Sequence, residues 1–255
     1  MLLFSVRNAT PYRHCARRLD GGTRRRYPWS MSRVPQVVGE KGSLLWIQRA
    51  IAERWPSLET PILDKVGSDQ TIFWRSPLEA DGYAEYRDGA FLDLLGLSHL
   101  RHQLTEFWPE RGPQWDALAQ LDGGGVLLLE AKAHVGELCS PGSAAGAASL
   151  ARISERLDEV AEALGASARR APWTTHFYQL ANRIAHLHFL RSRGVDAWLV
   201  LVNFLGDAEM AGPETVEAWE AAYTVAWHVM GLNKRHALSR YIVEVYPDVR
   251  KHGGR

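Results

Sequence analysis

Trp115-Asp116-Ala117-Leu118-Ala119-Gln120-Leu121, then Asp122-Gly123-Gly124-Gly125, then Val126-Leu127-Leu128-Leu129-Glu130-Ala131-Lys132-Ala133-His134 form one continuous stretch. Two apolar runs flank an Asp-Gly-Gly turn signal, the pattern of a β-hairpin. Residues 126–129 are apolar at every position, which predicts a central strand buried on both faces. A strand has period two, so Glu130, Lys132 and His134 share one face. A buried carboxylate and a buried ammonium are costly unless they are paired or bound to a metal.

Asp116 completes the arrangement. With a three-residue loop, Asp122 to Gly124, Leu121 pairs with Gly125 and Asp116 falls opposite Glu130. A four-residue loop sets Asp116 opposite Ala131 and turns the pleat against a shared site. A common site therefore needs an odd loop or a bulge, which the glycines at 123–125 permit. Two carboxylates and a lysine on adjacent strands suit a hard divalent cation acting on a phosphodiester. The carboxylates hold the ion through oxygen, and the ammonium orients water and offsets developing charge.

Asp116, thirteen intervening residues, then Glu130-Ala131-Lys132 resembles the PD-(D/E)xK nuclease superfamily, the restriction-endonuclease-like fold. The departure from the name is at one place: Trp115 precedes Asp116, and the proline, Pro113, stands two places earlier still. The resemblance spans about residues 36–205, with its specific motifs within 113–137. It implies an α/β fold with a central mixed β-sheet flanked by helices, in which a helix precedes a three-strand core. It implies a Mg²⁺- or Mn²⁺-dependent nuclease acting on nucleic acid, DNA in the first place. Asp116, Glu130 and the Ala131 carbonyl would hold the metal, and Lys132 would position the attacking water. The same scaffold as a catalytically silent module binding nucleic acid or protein is the alternative. Glu130 and Lys132 as a structural pair in an unrelated α/β protein is a third reading.

The first helix is expected over 40–55, where Leu44, Ile47, Ile51 and Trp55 repeat at helical spacing and Pro56 follows. Glu40 falls on the same stripe and should face inward from the first turn. It is either an acid offsetting the helix dipole or, as the resemblance implies, an extra metal carboxylate. A further helix over 175–193 carries Phe177, Leu180, Ile184 and Leu187 as its core stripe. Gln179, Arg183 and His186 form a polar stripe beside it. In the resembled superfamily a glutamine and a basic residue at such spacing reach toward the site, so Gln179 and Arg183 are candidate substrate contacts; a solvated face is the other reading.

The intervening chain is read more coarsely. Residues 72–74 suggest a strand, and 90–97 and 100–107 suggest helices broken at Gly96. Glu79, Asp81, Glu85, Asp88 and Asp93 read as a solvated acidic face. Residues 141–148 read as a small-residue loop before a helix that Gly165 stops. Residues 195–205 and 241–246 read as strands, with a helix begun by Pro213 between them.

The 255 residues could make one large or two small domains, and the even spread of apolar residues favours one, at 33–255, behind a basic disordered extension at 1–32. Residues 1–30 carry seven arginines against one acid; of the chain's 30 basic and 29 acidic residues, 23 and 28 remain for 31–255, a formal charge of −5. The extension is a phosphate-touching arm, a targeting peptide, or the product of a start codon upstream of a true start at Met31. The body is not globally basic, so any nucleic-acid surface must be local. Two cysteines make neither a disulfide framework nor a zinc site, and a reducing cytoplasm is the expected location. No apolar run of about 18 residues is present, so no membrane span is expected. The oligomeric state is open.

Overall fold

The computed structural model describes residues 32–253. In chain order these form β1 (Arg33–Val34), α1 (Gly42–Ala52), α2 (Pro56–Val66), β2 (Ile72–Ser76), β3 (Glu85–Tyr86), α3 (Asp88–Leu94), α4 (Arg101–Phe107), β4 (Ala117–Leu121), β5 (Val126–Lys132), α5 (Val135–Leu138), α6 (Ala147–Ala163), α7 (Tyr178–Arg191), β6 (Ala197–Asn203), α8 (Val216–Val229) and β7 (Ile242–Val245). The readings for residues 1–31 and 254–255 lie outside the described residues.

One five-stranded mixed sheet, ordered β2-β4-β5-β6-β7, carries the fold. β4 runs antiparallel to both β2 and β5, whereas β5, β6 and β7 are parallel, so β4 alone is reversed. β5 is central and every residue in it is buried, as its unbroken apolar run predicts. Val126 and Leu128 belong to the core that α6, α7 and α8 close on one face; Leu127, Leu129 and Ala131 belong to the core that α1 and α2 close on the other. The molecule is thus α/β, its sheet flanked by helices. β1 and β3 form a separate two-stranded ribbon.

The hairpin adopts the odd loop. Ala117 pairs with Leu129 and Gln120 with Val126, and the Leu121 N–H donates to the Gly125 carbonyl at 2.8 Å. The loop is therefore Asp122 to Gly124, closed by the Gly124 N–H on the Leu121 carbonyl at 2.9 Å. Gly124 sits at φ +86°, the left-handed position that a three-residue hairpin loop requires.

Several boundaries differ from expectation for local reasons. The helix expected over 40–55 begins at Gly42, whose φ of +66° turns the chain and ends the helical period upstream. Its other end is Ala52, and Pro56 opens a second helix, α2, at a first-turn position where its missing N–H costs nothing. Likewise α7 starts at Tyr178, because Phe177 lies at φ +54°. Pro213 stands three residues before α8, which Thr215 precedes as N-cap residue. Among the described residues, no helix is long and apolar enough to cross a membrane.

Candidate active site

The site is built where β4 gives out beside β5. Val126 and Leu128 face the core, and two further steps of the same period bring Glu130 and Lys132 to that face, 4% and 3% exposed. The Lys132 Nζ donates to Glu130 Oε1 at 2.8 Å. β4 begins at Ala117, so the ladder stops one residue short of the Asp116–Glu130 position. The Ala131 N–H points to that vacated edge and donates instead to Asp116 Oδ2 at 2.7 Å. The N–H and carbonyl of one strand residue face the same edge, so the Ala131 carbonyl lies on the Asp116 side. The three-residue loop expected from the sequence thus carries the register as far as Ala117 on Leu129, and Asp116 joins the end of β5 through its side chain rather than as a ladder pair of Glu130.

α7 supplies the opposite wall. Gln179 and Arg183 are one turn apart and both reach β5. Arg183 Nε donates to Glu130 Oε2 at 2.6 Å, and its Nη2 donates to the Gln114 carbonyl at 2.6 Å. Its guanidinium lies 4.8 Å from the centre of the Trp115 ring. Lys132 Nζ donates to Gln179 Oε1 at 3.3 Å. The solvated-face reading therefore fails for Arg183 and His186, which are buried; only Gln179 is exposed. His186 packs among Phe91, Phe107, Trp108 and Trp115 with its Nδ1 on the Asn182 carbonyl. Burial pushes its pKa down to about 3, so it is a neutral packing residue.

Glu85 joins the site without having been singled out. It is 7% exposed, and its Oε2 accepts from Gln114 Nε2 at 2.5 Å and from Gln36 Nε2 at 3.1 Å. The acidic stretch that contains it is not a uniformly solvated face either: Asp81 pairs with Arg33, and Asp93 with Arg101. Glu40 goes the other way. It precedes α1, is exposed, and lines neither cavity at the site, so the expected inward carboxylate is not there. Glu137 serves structure: its Oε2 accepts the N–H groups of Ala133 and His134, and its Oε1 accepts from the Ser43 hydroxyl.

Three carboxylates thus stand against two cations. Burial, then Glu130 and Glu85, raise the Asp116 pKa well above the ordinary value, against the pull of Arg183 and the Ala131 N–H. Burial also works to raise Glu130, but Arg183 and Lys132 outweigh it and the net shift is downward. Glu85 is raised, by burial first, with Glu130 adding to it. Two open cavities meet here, of about 380 and 250 Å³. Both are lined by Asp116, Glu130 and Gln179; Arg183 and Glu85 line only the larger, and Lys132 and Ala131 only the smaller. Among the described residues, no three His, Cys, Asp or Glu side chains converge as a ready-made metal cage. No family model, curated protein or solved structure matches this chain.

Proposed function

We propose that the chain is a divalent-metal-dependent nuclease that hydrolyses phosphodiester bonds in nucleic acid, DNA in the first place, on a restriction-endonuclease-like core. The observation that carries this reading is the hairpin register, Ala117 on Leu129, which brings the Asp116 carboxylate to the Ala131 N–H between Glu130 and Lys132. The element order supports it: α1 precedes the strands β2, β4 and β5, and α7 leads into the parallel β6.

The donors suit Mg²⁺ or Mn²⁺, since Asp116, Glu130 and the Ala131 carbonyl offer hard oxygen and would hold the ion. Asp116 Oδ1 has no hydrogen-bond partner among the described residues. A divalent cation would also offset the burial and the neighbouring Glu130 and Glu85 charges that together raise the Asp116 pKa. When bound, the ion supplies Lewis-acid charge and a more acidic water. Lys132 lines the smaller cavity, where its ammonium orients the attacking water and offsets charge on the phosphoryl oxygens. Arg183 anchors Glu130 from the other side and adds positive charge toward the substrate. Gln179, exposed between the two cavities, contacts the strand.

A silent binding module is favoured by one observation: both Glu130 oxygens are already engaged, by Lys132 and by Arg183. Calorimetric titration with Mg²⁺, wild type against Asp116→Ala, followed by cleavage of a mixed DNA and RNA panel, separates the two. Metal binding lost in the variant, with cleavage by the wild type, is the expected result. Absence of both metal binding and cleavage in the wild type moves the assignment to the silent module.

A further inference from the structure

We infer that the larger cavity is a seat for one unpaired nucleobase next to the scissile phosphate, so that the substrate is taken as a single strand at this position. The inference rests on the nucleic-acid reading of the site and adds the form of the substrate. Its volume of about 380 Å³ lies at the small end of ligand clefts, which run from about 300 to 1,000 Å³. That is room for a single nucleotide unit.

The polar groups on its wall are fixed and unspent. Asn182 is 6% exposed, and its Oδ1 accepts from Arg183 Nη1 at 3.1 Å. That bond sets the amide orientation, because a guanidinium can only donate. It leaves the Asn182 Nδ2 as a donor with no partner among the described residues. Gln114 is set in the same way: its Nε2 is given to Glu85, which leaves its Oε1 as an acceptor without a partner there. An oriented amide donor and an oriented amide acceptor on one cavity wall suit the hydrogen-bonding edge of a base.

The remaining wall suits a flat ring. Tyr178, half-buried at the start of α7, lines the cavity, as do Pro113 and Pro141. Aromatic faces stack on bases whatever their identity, and a base offers its face to a protein ring only where it has left the duplex stack. Arg183 and Glu130 line the same cavity, so a base seated there has its phosphate at the carboxylate pair.

The test is calorimetric titration with nucleoside 5′-monophosphates, in Mg²⁺, of wild type, Tyr178→Ala, Asn182→Ala and Lys132→Ala, each checked for folding by thermal melting. At least one monophosphate should bind the wild type. Tyr178→Ala should weaken it by about tenfold or more, the scale of a lost base stack. Lys132→Ala removes charge beside the phosphate and should weaken all the monophosphates equally, whatever their base. Should Asn182→Ala fail to fold, the Tyr178 variant alone decides. No binding of any monophosphate, or binding that Tyr178→Ala leaves intact, overturns the inference. The readout needs no hydrolysis, so a protein that binds monophosphates but cleaves nothing sinks the nuclease assignment and leaves the pocket standing.

Discussion

Ionised Asp116 sits with Glu130 and Glu85 for neighbours, and its pKa is raised well above the ordinary carboxylate value, by burial first and then by those charges. A folded-state pKa raised above the unfolded one means that the folded protein holds the proton more tightly. Ionisation therefore costs stability as pH rises from the ordinary value through the raised one, and the cost persists at higher pH. Glu130 has the opposite sign: its lowered pKa marks stability present above the ordinary value and lost as pH falls through the lowered one. Asp116→Asn removes the destabilising charge, and its amide oxygen can still accept the Ala131 N–H. The variant should melt above the wild type at neutral pH without added metal. Its stability should also fall less as pH rises through the weakly acidic range, and it should cleave nothing. A melting temperature below that of the wild type across this range would show that the Asp116 charge is not a burden to the fold.

The hairpin is the element on which this conflict is built. Gly124, at φ +86°, has nothing within 4 Å of the position a Cβ would take. Gly124→Ala therefore introduces only the left-handed strain of an L-residue, about 1–2 kcal/mol, which for a domain of this size lowers melting by roughly 2–8 °C. Metal affinity should hold, because the β4–β5 pairs and the buried Leu127, Leu128 and Leu129 keep the register independently of the loop. Affinity lost along with stability would mean that the loop alone sets the register. The same reasoning explains what the sequence could reveal. Asp116, Glu130 and Lys132 were legible because strand period and loop length fix their relative positions within one local hairpin. Gln179 and Arg183 were legible as neighbours through the helical period, and their reach toward β5 was legible only through the resemblance. Glu85 was not, because β3 has two residues, too few for a period, and pairs with β1 some fifty residues earlier in the chain. Glu40 was misread because a period was carried past Gly42, where the backbone leaves the helix.

Across the whole molecule, charge is divided between a basic N-terminal segment and an acidic body. Residues 1–30 hold seven arginines and one acid, and residues 31–255 carry a formal −5. Affinity drawn from phosphate contacts falls with salt in proportion to the number of contacts, with a log–log slope of about −0.7 per contact for single strands. If Lys132 and Arg183 supply the body's contacts, the chain from Met31 onward has a slope near −1.4, about a sevenfold loss of affinity for a single-stranded oligonucleotide between 50 and 200 mM salt. Should the seven arginines engage as well, the full chain steepens by up to about 5 in slope, and its affinity at low salt rises accordingly. Fluorescence anisotropy of one labelled oligonucleotide with both chains across that salt range measures the two slopes directly. A shallow slope for the shorter chain and a steep one for the full chain assign long-range attraction to the arm and recognition to the body, which is the division expected. Equal shallow slopes would show that the arm touches no phosphate. A steep slope in the shorter chain would require an extended phosphate track on the body, and base stacking at Tyr178 would then be a minor source of affinity.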